Sequence, residues 1–132
     1  MRTEEPLTTI LPRFFVETIN GVPVVRPVVP DLTDEGAIAE LGDLLDELVD
    51  QWGVTGVLLN FQEVRHMSSA VLGVLLKFSR RVARHRGRLK LCRLALDLRE
   101  IFRITKFEQL FEIHDEERLA LESFRAPSRA AS

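Results

Sequence analysis

Apolar residues recur at spacings of three and four from Asp34 to Trp52, where Ala37, Leu41, Leu44, Leu45, Leu48 and Trp52 alternate with Asp43, Asp46, Glu47 and Asp50. That period predicts an amphipathic helix, capped at its start by Asp31 or Thr33 and ended at Gly53. A second helical stripe, Val71, Leu75, Phe78 and Val82, runs through "SSAVLGVLLKFSRRVARHRG" and is expected to stop at Gly87, with arginines gathered near its negative end. Leu98, Ile101, Phe102 and Thr105 mark a third helix from near Asp97, and "DEERLALESF" (115–124) a fourth with acids in its first turn. Between the helices lie short apolar runs. "GVLLNF" (56–61) suits a central strand buried on both faces, "RLKLCRL" (88–94) places Leu89, Leu91 and Cys92 or Leu94 inside, and "LFEIH" (110–114) is a last strand. Ahead of them, "FFVETINGVPVVRPVV" reads as a hairpin turning at Asn20-Gly21, whose second arm has an exposed side or an irregular start because Pro23 and Pro27 cannot donate to a ladder.

Strands alternating with helices over short connections predict an α/β fold. It would hold a mainly parallel sheet of about five strands, with an antiparallel N-terminal strand and four helices. At 132 residues the chain has the length of one domain, here placed over 1–124, with "RAPSRAAS" (125–132) a polar tail. The 45% apolar and 29% charged fractions suit an ordinary globular protein and argue against disorder. No apolar run approaches the ~18 residues of a membrane span, and "MRTEEPLTTI" has acids where a secretory signal has bases, so a cytoplasmic protein with no membrane partner is expected. Charge is segregated: Pro27–Val64 holds nine acids and no Lys or Arg, Val64–Leu96 nine Lys or Arg and no acid. Elements of opposite sign that pack together neutralise each other, so this asymmetry carries little weight for a nucleic-acid partner. Arg80, Arg81, Arg84, Arg86 and Arg88 also lack the interleaved aromatics of single-strand binders.

Little in the chain resembles catalytic chemistry. His66, His85 and His114 have no paired ligand spacing, and Cys92 inside an apolar strand reads as a packed small hydrophobe. The glycines form no phosphate-cradling loop, and carboxylate pairs such as Asp46 and Asp50 read as solvated helix faces. No enzyme, metal or cofactor is therefore expected. What stands out is "VRHMSSAVLG" (64–73), where Ser68 directly precedes a helix and its hydroxyl could accept a first-turn N–H, a bond worth about 1 kcal/mol. A serine at that place is also presented outward at the edge of the sheet, where a phosphate would meet the positive end of the helix.

With "LLNF", "HMSSAVLG", "RVARHRGRLKLCRL" and "FRITKFEQLFEI" in this order, the chain resembles the STAS domain family of bacterial anti-sigma factor antagonists and stressosome proteins over about Val54 to Ile113. The family carries a Met-Asp-Ser-Ser-Gly-Leu-Gly turn between a strand and a basic helix. The resemblance implies that Ser69 is the phosphoacceptor, with Ser68 in place of the Asp, Ala70 in place of the second Ser and Val71 in place of the Gly. Val71 is expected to narrow the surface a kinase approaches. A non-enzymatic module is implied, docking on an anti-sigma factor or serine kinase and served by a matching phosphatase. The docking residues would be Asn60, Arg65, His66, Ser68, Ser69, Ala70, Val71 and Gly73. Two other readings stand beside it: a constitutive scaffold that self-associates, and anion or nucleotide binding at the helix start near Ser68, helped by Arg65.

Overall fold

Residues 8–51, 53 and 56–125 are described by a computed structural model. The hairpin is present: β2 (Phe14–Ile19) returns as β3 (Val22–Pro27) through Asn20 and Gly21, whose φ of 54° and 81° are the left-handed values such a turn needs. A short β1 (Thr8–Ile10), absent from the sequence expectation, pairs antiparallel with β2 and makes the sheet six-stranded. The other three strands are β5 (Gly56–Asn60), β7 (Arg88–Cys92) and β8 (Glu112–His114), in the order β1-β2-β3-β5-β7-β8, and every pairing from β3 onward is parallel. The second arm of the hairpin is thus interior to the sheet. Its prolines act by shortening the ladder, since only Val24 and Val25 pair with β5 between Pro23 and Pro27.

Two further strands, β4 (Asp31–Leu32) and β6 (His66–Met67), form a separate two-residue parallel ladder. Apolar pattern could not reveal strands so short. Helix α1 (Glu35–Asp50) is capped by Asp34, whose Oδ2 accepts the Ala37 N–H at 3.0 Å, and not by Asp31 or Thr33. That bond and the Arg13 guanidinium, at 2.8 Å, hold the Asp34 carboxyl below its usual range. Gly53, at φ 63°, donates its N–H to the Val49 carbonyl past the helix end, whereas Trp52 lies outside the described residues.

Helix α2 (Ser69–Ala83) stops before Gly87. The left-handed residue that ends it is Arg86, at φ 61°, after which the Gly87 N–H reaches back to the Val82 carbonyl at 2.7 Å. A non-glycine residue there is strained by about 1 kcal/mol. Arg86→Gly is therefore expected to raise stability by roughly 0.5–1 kcal/mol, seen as a higher urea midpoint at unchanged slope.

Helix α3 (Leu96–Ile104), a 3-10 turn (Phe107–Gln109) and α4 (Glu117–Arg125) complete the chain; of the expected tail, Arg125 closes α4 and 126–132 lie outside the described residues. Helices α1 and α2 cover one sheet face, burying Leu41, Leu45, Val71 and Leu75 against Val25, Val57, Leu59 and Leu91, with Leu98 and Phe102 of α3 closing that core at one end. The opposite face, Val24, Leu58 and Cys92, is covered by Ala120 and Leu121 of α4.

Polar groups tie α4 down. Glu117 takes Arg26 at 2.9 and 3.1 Å and the Asn60 amide at 2.7 Å, while Lys90, 1% exposed, donates to Ser123 Oγ at 2.6 Å and pairs with Glu112 at 2.9 Å. Burial works to raise the Glu117 pKa, but the bonds from Arg26 and Asn60 outweigh it and hold the carboxyl below its usual 4.5. A carboxylate with a depressed pKa stabilises the fold above its usual range, and that contribution is lost as pH falls through the depressed value. Glu117→Gln is expected to cost about 2 kcal/mol at pH 7 and close to nothing in strong acid, where the native carboxyl is protonated too. Urea unfolding of both proteins across pH 7 to 3 checks it.

Candidate functional site

Strand β5 delivers the chain to the C-terminal edge of the sheet, and the loop 61–65 then turns it through β6 into α2. Two contacts fix that path: Arg65 and His66 both donate backbone N–H to the Pro30 carbonyl, at 2.7 and 3.0 Å, and Ser68 donates to the Leu32 carbonyl at 3.2 Å. The His66 ring, exposed, meets Asp31 at 2.7 Å across the β4–β6 ladder. Ser68 takes the extended N-cap backbone (φ −85°, ψ 162°), and Ser69 is the first residue of α2, with its side chain exposed.

Ser68 caps by its backbone alone. Its carbonyl accepts the Val71 N–H at 3.0 Å, but its hydroxyl makes no bond to the first turn and is buried without a hydrogen-bond partner among the described residues. Sequence reasoning could place the residue but not its rotamer. Since a buried hydroxyl without a partner gains nothing, Ser68→Ala is expected to be neutral or slightly stabilising, within about 0.5 kcal/mol, instead of costing the ~1 kcal/mol of a lost cap. Thermal unfolding of that single variant decides the matter.

The residues implied for docking do not all reach one surface. Arg65, His66, Ser69, Ala70 and Gly73 are exposed and lie on the loop before α2 or its first turns. Val71 is 0% exposed and belongs to the core, so its side chain does not narrow the approach to Ser69 and presents nothing to a partner. Asn60 is interior as well: its amide serves Glu117, and its Oδ1 accepts the Gln62 N–H at 2.8 Å. Its place is under α4, and that alone accounts for a buried amide.

Helix α3 supplies what the sequence reading missed. Leu96 is 88% exposed and Ile104 64%, and Ile101, grouped with Leu98 and Phe102 by spacing, also faces outward. Met67, Ser68, Ser69, Leu72, Ile101 and Phe102 line a cleft of about 260 Å³ between the start of α2 and α3. The signal for this was present, because Leu96 and Ile104 fall outside the Leu98–Phe102 stripe and give α3 a second apolar side. Ser69 therefore borders an apolar cleft. The α2 end around it is electrostatically bare: no side chain caps it and its first turn holds no acid.

Other chemistry-bearing residues lie apart. Cys92 is fully buried, and burial foremost pushes its thiol up to about 12, which leaves no thiolate near neutrality. Among the described residues no group of three His, Cys, Asp or Glu side chains is placed to hold a metal ion, and no helix is long and apolar enough to cross a membrane. His114 meets Glu112 at 2.6 Å, on a different strand from His66.

A family model described as the STAS domain matches residues 14–120. Among solved structures, the fold is similar to the unphosphorylated anti-sigma factor antagonist SpoIIAA (20% identity, TM-score 0.66, 93% of this chain and 100% of the other). It is similar too to the Bacillus cell fate determinant SpoIIAA in its phosphorylated form (18%, 0.63, 91% and 99%). A putative anti-sigma factor antagonist from Thermotoga maritima superposes with a TM-score of 0.77 at 18% identity, over 86% of this chain and 95% of the other. No curated protein sequence matches the chain.

Proposed function

Because this chain belongs to the STAS domain family, we propose that it is a cytoplasmic, non-enzymatic bacterial signalling module that docks on a protein partner through the surface around Ser69. The partner would be an anti-sigma factor or serine kinase, with a phosphatase reversing the modification. Phosphorylation of Ser69 would release it. The observation that carries this reading is the setting of Ser69, an exposed hydroxyl at the first position of a helix whose N-terminus has no side-chain cap and no acid. A phosphate there would itself satisfy the free N–H groups and the helix dipole, so the fold tolerates it.

Ser68 stands where the family pattern carries Asp, which removes a negative charge beside the acceptor and favours the rival reading, a scaffold that self-associates and is never phosphorylated. The docking face would combine Arg65, His66, Ser69, Ala70 and Gly73 with the exposed Ile101 of α3, which lines the same cleft as Ser69. Apolar contact would give affinity, and about two added negative charges at its centre would impose desolvation and repulsion on a bound partner. Solved structures of SpoIIAA in unphosphorylated and phosphorylated forms support the comparison at the level of fold. The test is partner binding, by titration calorimetry, of the wild-type protein, Ser69→Ala and Ser69→Asp. Binding is expected to survive in Ser69→Ala and to fall in Ser69→Asp, and equal affinities in all three would overturn the switch.

A further inference from the structure

A second groove runs along the outer side of the molecule between α1 and α2, with Ile38, Ala39 and Gly42 on one side, Ala70 and Val74 on the other, and a volume of about 380 Å³. Ala39 and Ala70 are exposed, and a Cβ added to Gly42 would stand 3.9 Å from Val74 Cγ1, so small residues keep the groove shallow and open. Its banks carry opposite charge. Helix α1 holds six acids and no base, whereas α2 holds Lys77, Arg80 and Arg81 and no acid. Arg81 is used within the molecule, bonded to Asp46 at 2.6 Å and also to Asp50. Asp43 on one bank and Lys77 on the other have no ion-pair partner among the described residues.

We propose that this groove is a self-complementary face on which a second copy of the chain docks about a two-fold axis running along the groove. Such an axis lays α1 of one copy over α2 of the other. The Arg81–Asp46 bond sets the two helices in register, so Asp43 and Lys77, each about one turn before its bonded residue, lie near one level and each faces the other's counterpart across the axis. An axis across the helices would instead oppose two acidic α1 helices, which their charge forbids. Helices of 16 and 15 residues present a face roughly 24 Å long and about 18–20 Å wide. About 450 Å² per copy lies at the small end of specific interfaces, so the dimer is weak and concentration-dependent. The groove shares Ala70 with the surface proposed around Ser69 but does not include Ser69 itself, so dimerisation is read on the protein alone, without a partner.

Sedimentation velocity of the full chain, from about 5 to about 500 μM at low salt, reads it. The wild-type protein is expected to move from monomer towards dimer across that range and to dissociate in roughly 0.5 M salt. Asp43→Lys and Lys77→Asp, both at exposed helix positions, are each expected to weaken association at least tenfold. An equimolar mixture of the two restores it, since each then offers the charge the other lacks. A monomer at every concentration overturns the proposal. So does association that neither reversal changes, which would place the contact on another face.

Discussion

Val71→Gly is expected to cost the domain about 3 kcal/mol, although glycine is the residue that the family pattern carries there. The valine side chain is fully buried in the core beneath α1 and α2. Removing it forfeits roughly 1.5–2 kcal/mol of burial, leaves a cavity that the sheet cannot close, and adds up to about 1 kcal/mol for a glycine in a helix. Against a typical stability of about 5–15 kcal/mol the loss is large, and the melting temperature should fall by roughly 10 °C. Thermal unfolding followed by circular dichroism checks this. An unchanged melting temperature would mean that Val71 is not a core residue and that the expectation of a side chain crowding Ser69 stands.

Ser69→Asp has the other large effect, and it acts in opposite directions on two observables. In the isolated protein, a carboxylate at the first helical position meets a bare helix N-terminus, so stability should rise by about 0.5–1 kcal/mol. At the docking face the same charge should weaken partner binding at least tenfold, and true phosphorylation, with about twice the charge, by more. Ser69→Ala should leave binding within about threefold of wild type, because it removes a hydroxyl and adds no charge. A variant that lost binding only by unfolding would show the reverse sign in stability, so the pair of measurements separates a switch from damage.

Much of the architecture was legible because local chemistry and global position agree. Asn20-Gly21 demands a left-handed turn and forms one, the three-and-four spacing of Leu41, Leu45 and Leu48 marks a face that is buried, and Ser68 at the helix start follows from a strand running into an apolar period, whereas Ser69 was marked only by the family resemblance. The misses share a physical cause. Lys90 looks like the polar member of an alternating strand, but α4 covers that face, and the lysine is buried with Ser123, Glu112 and the Phe124 ring, 4.6 Å from its nitrogen. The same helix explains Asn60 and Gly56: a Cβ on Gly56 would stand 2.9 Å from the Phe124 ring. Such contacts join residues 26, 60 and 117 across most of the chain, beyond any local window.

At the site, spacing gave the position of Ser68 and Ser69 but not the direction of either side chain. A one-rotamer difference turns the Ser68 hydroxyl from a cap into a buried group without a partner, and helical phase turns Val71 inward. The exposed side of α3 went unread because a stripe that satisfies the core, Leu98 and Phe102, conceals the apolar residues that do not belong to it.

The central claim is that Ser69 is a phosphoacceptor controlling a docking face. Mass spectrometry of the protein isolated from its own cells, comparing the wild type with Ser69→Ala and Ser69→Asp, tests it most directly by reading phosphosites and bound proteins together. The account predicts phosphate on Ser69 in a fraction of wild-type chains, and a bound protein retained by the wild type and Ser69→Ala but lost from Ser69→Asp. An unmodified Ser69 under all growth conditions, with the same proteins bound to all three, would contradict it.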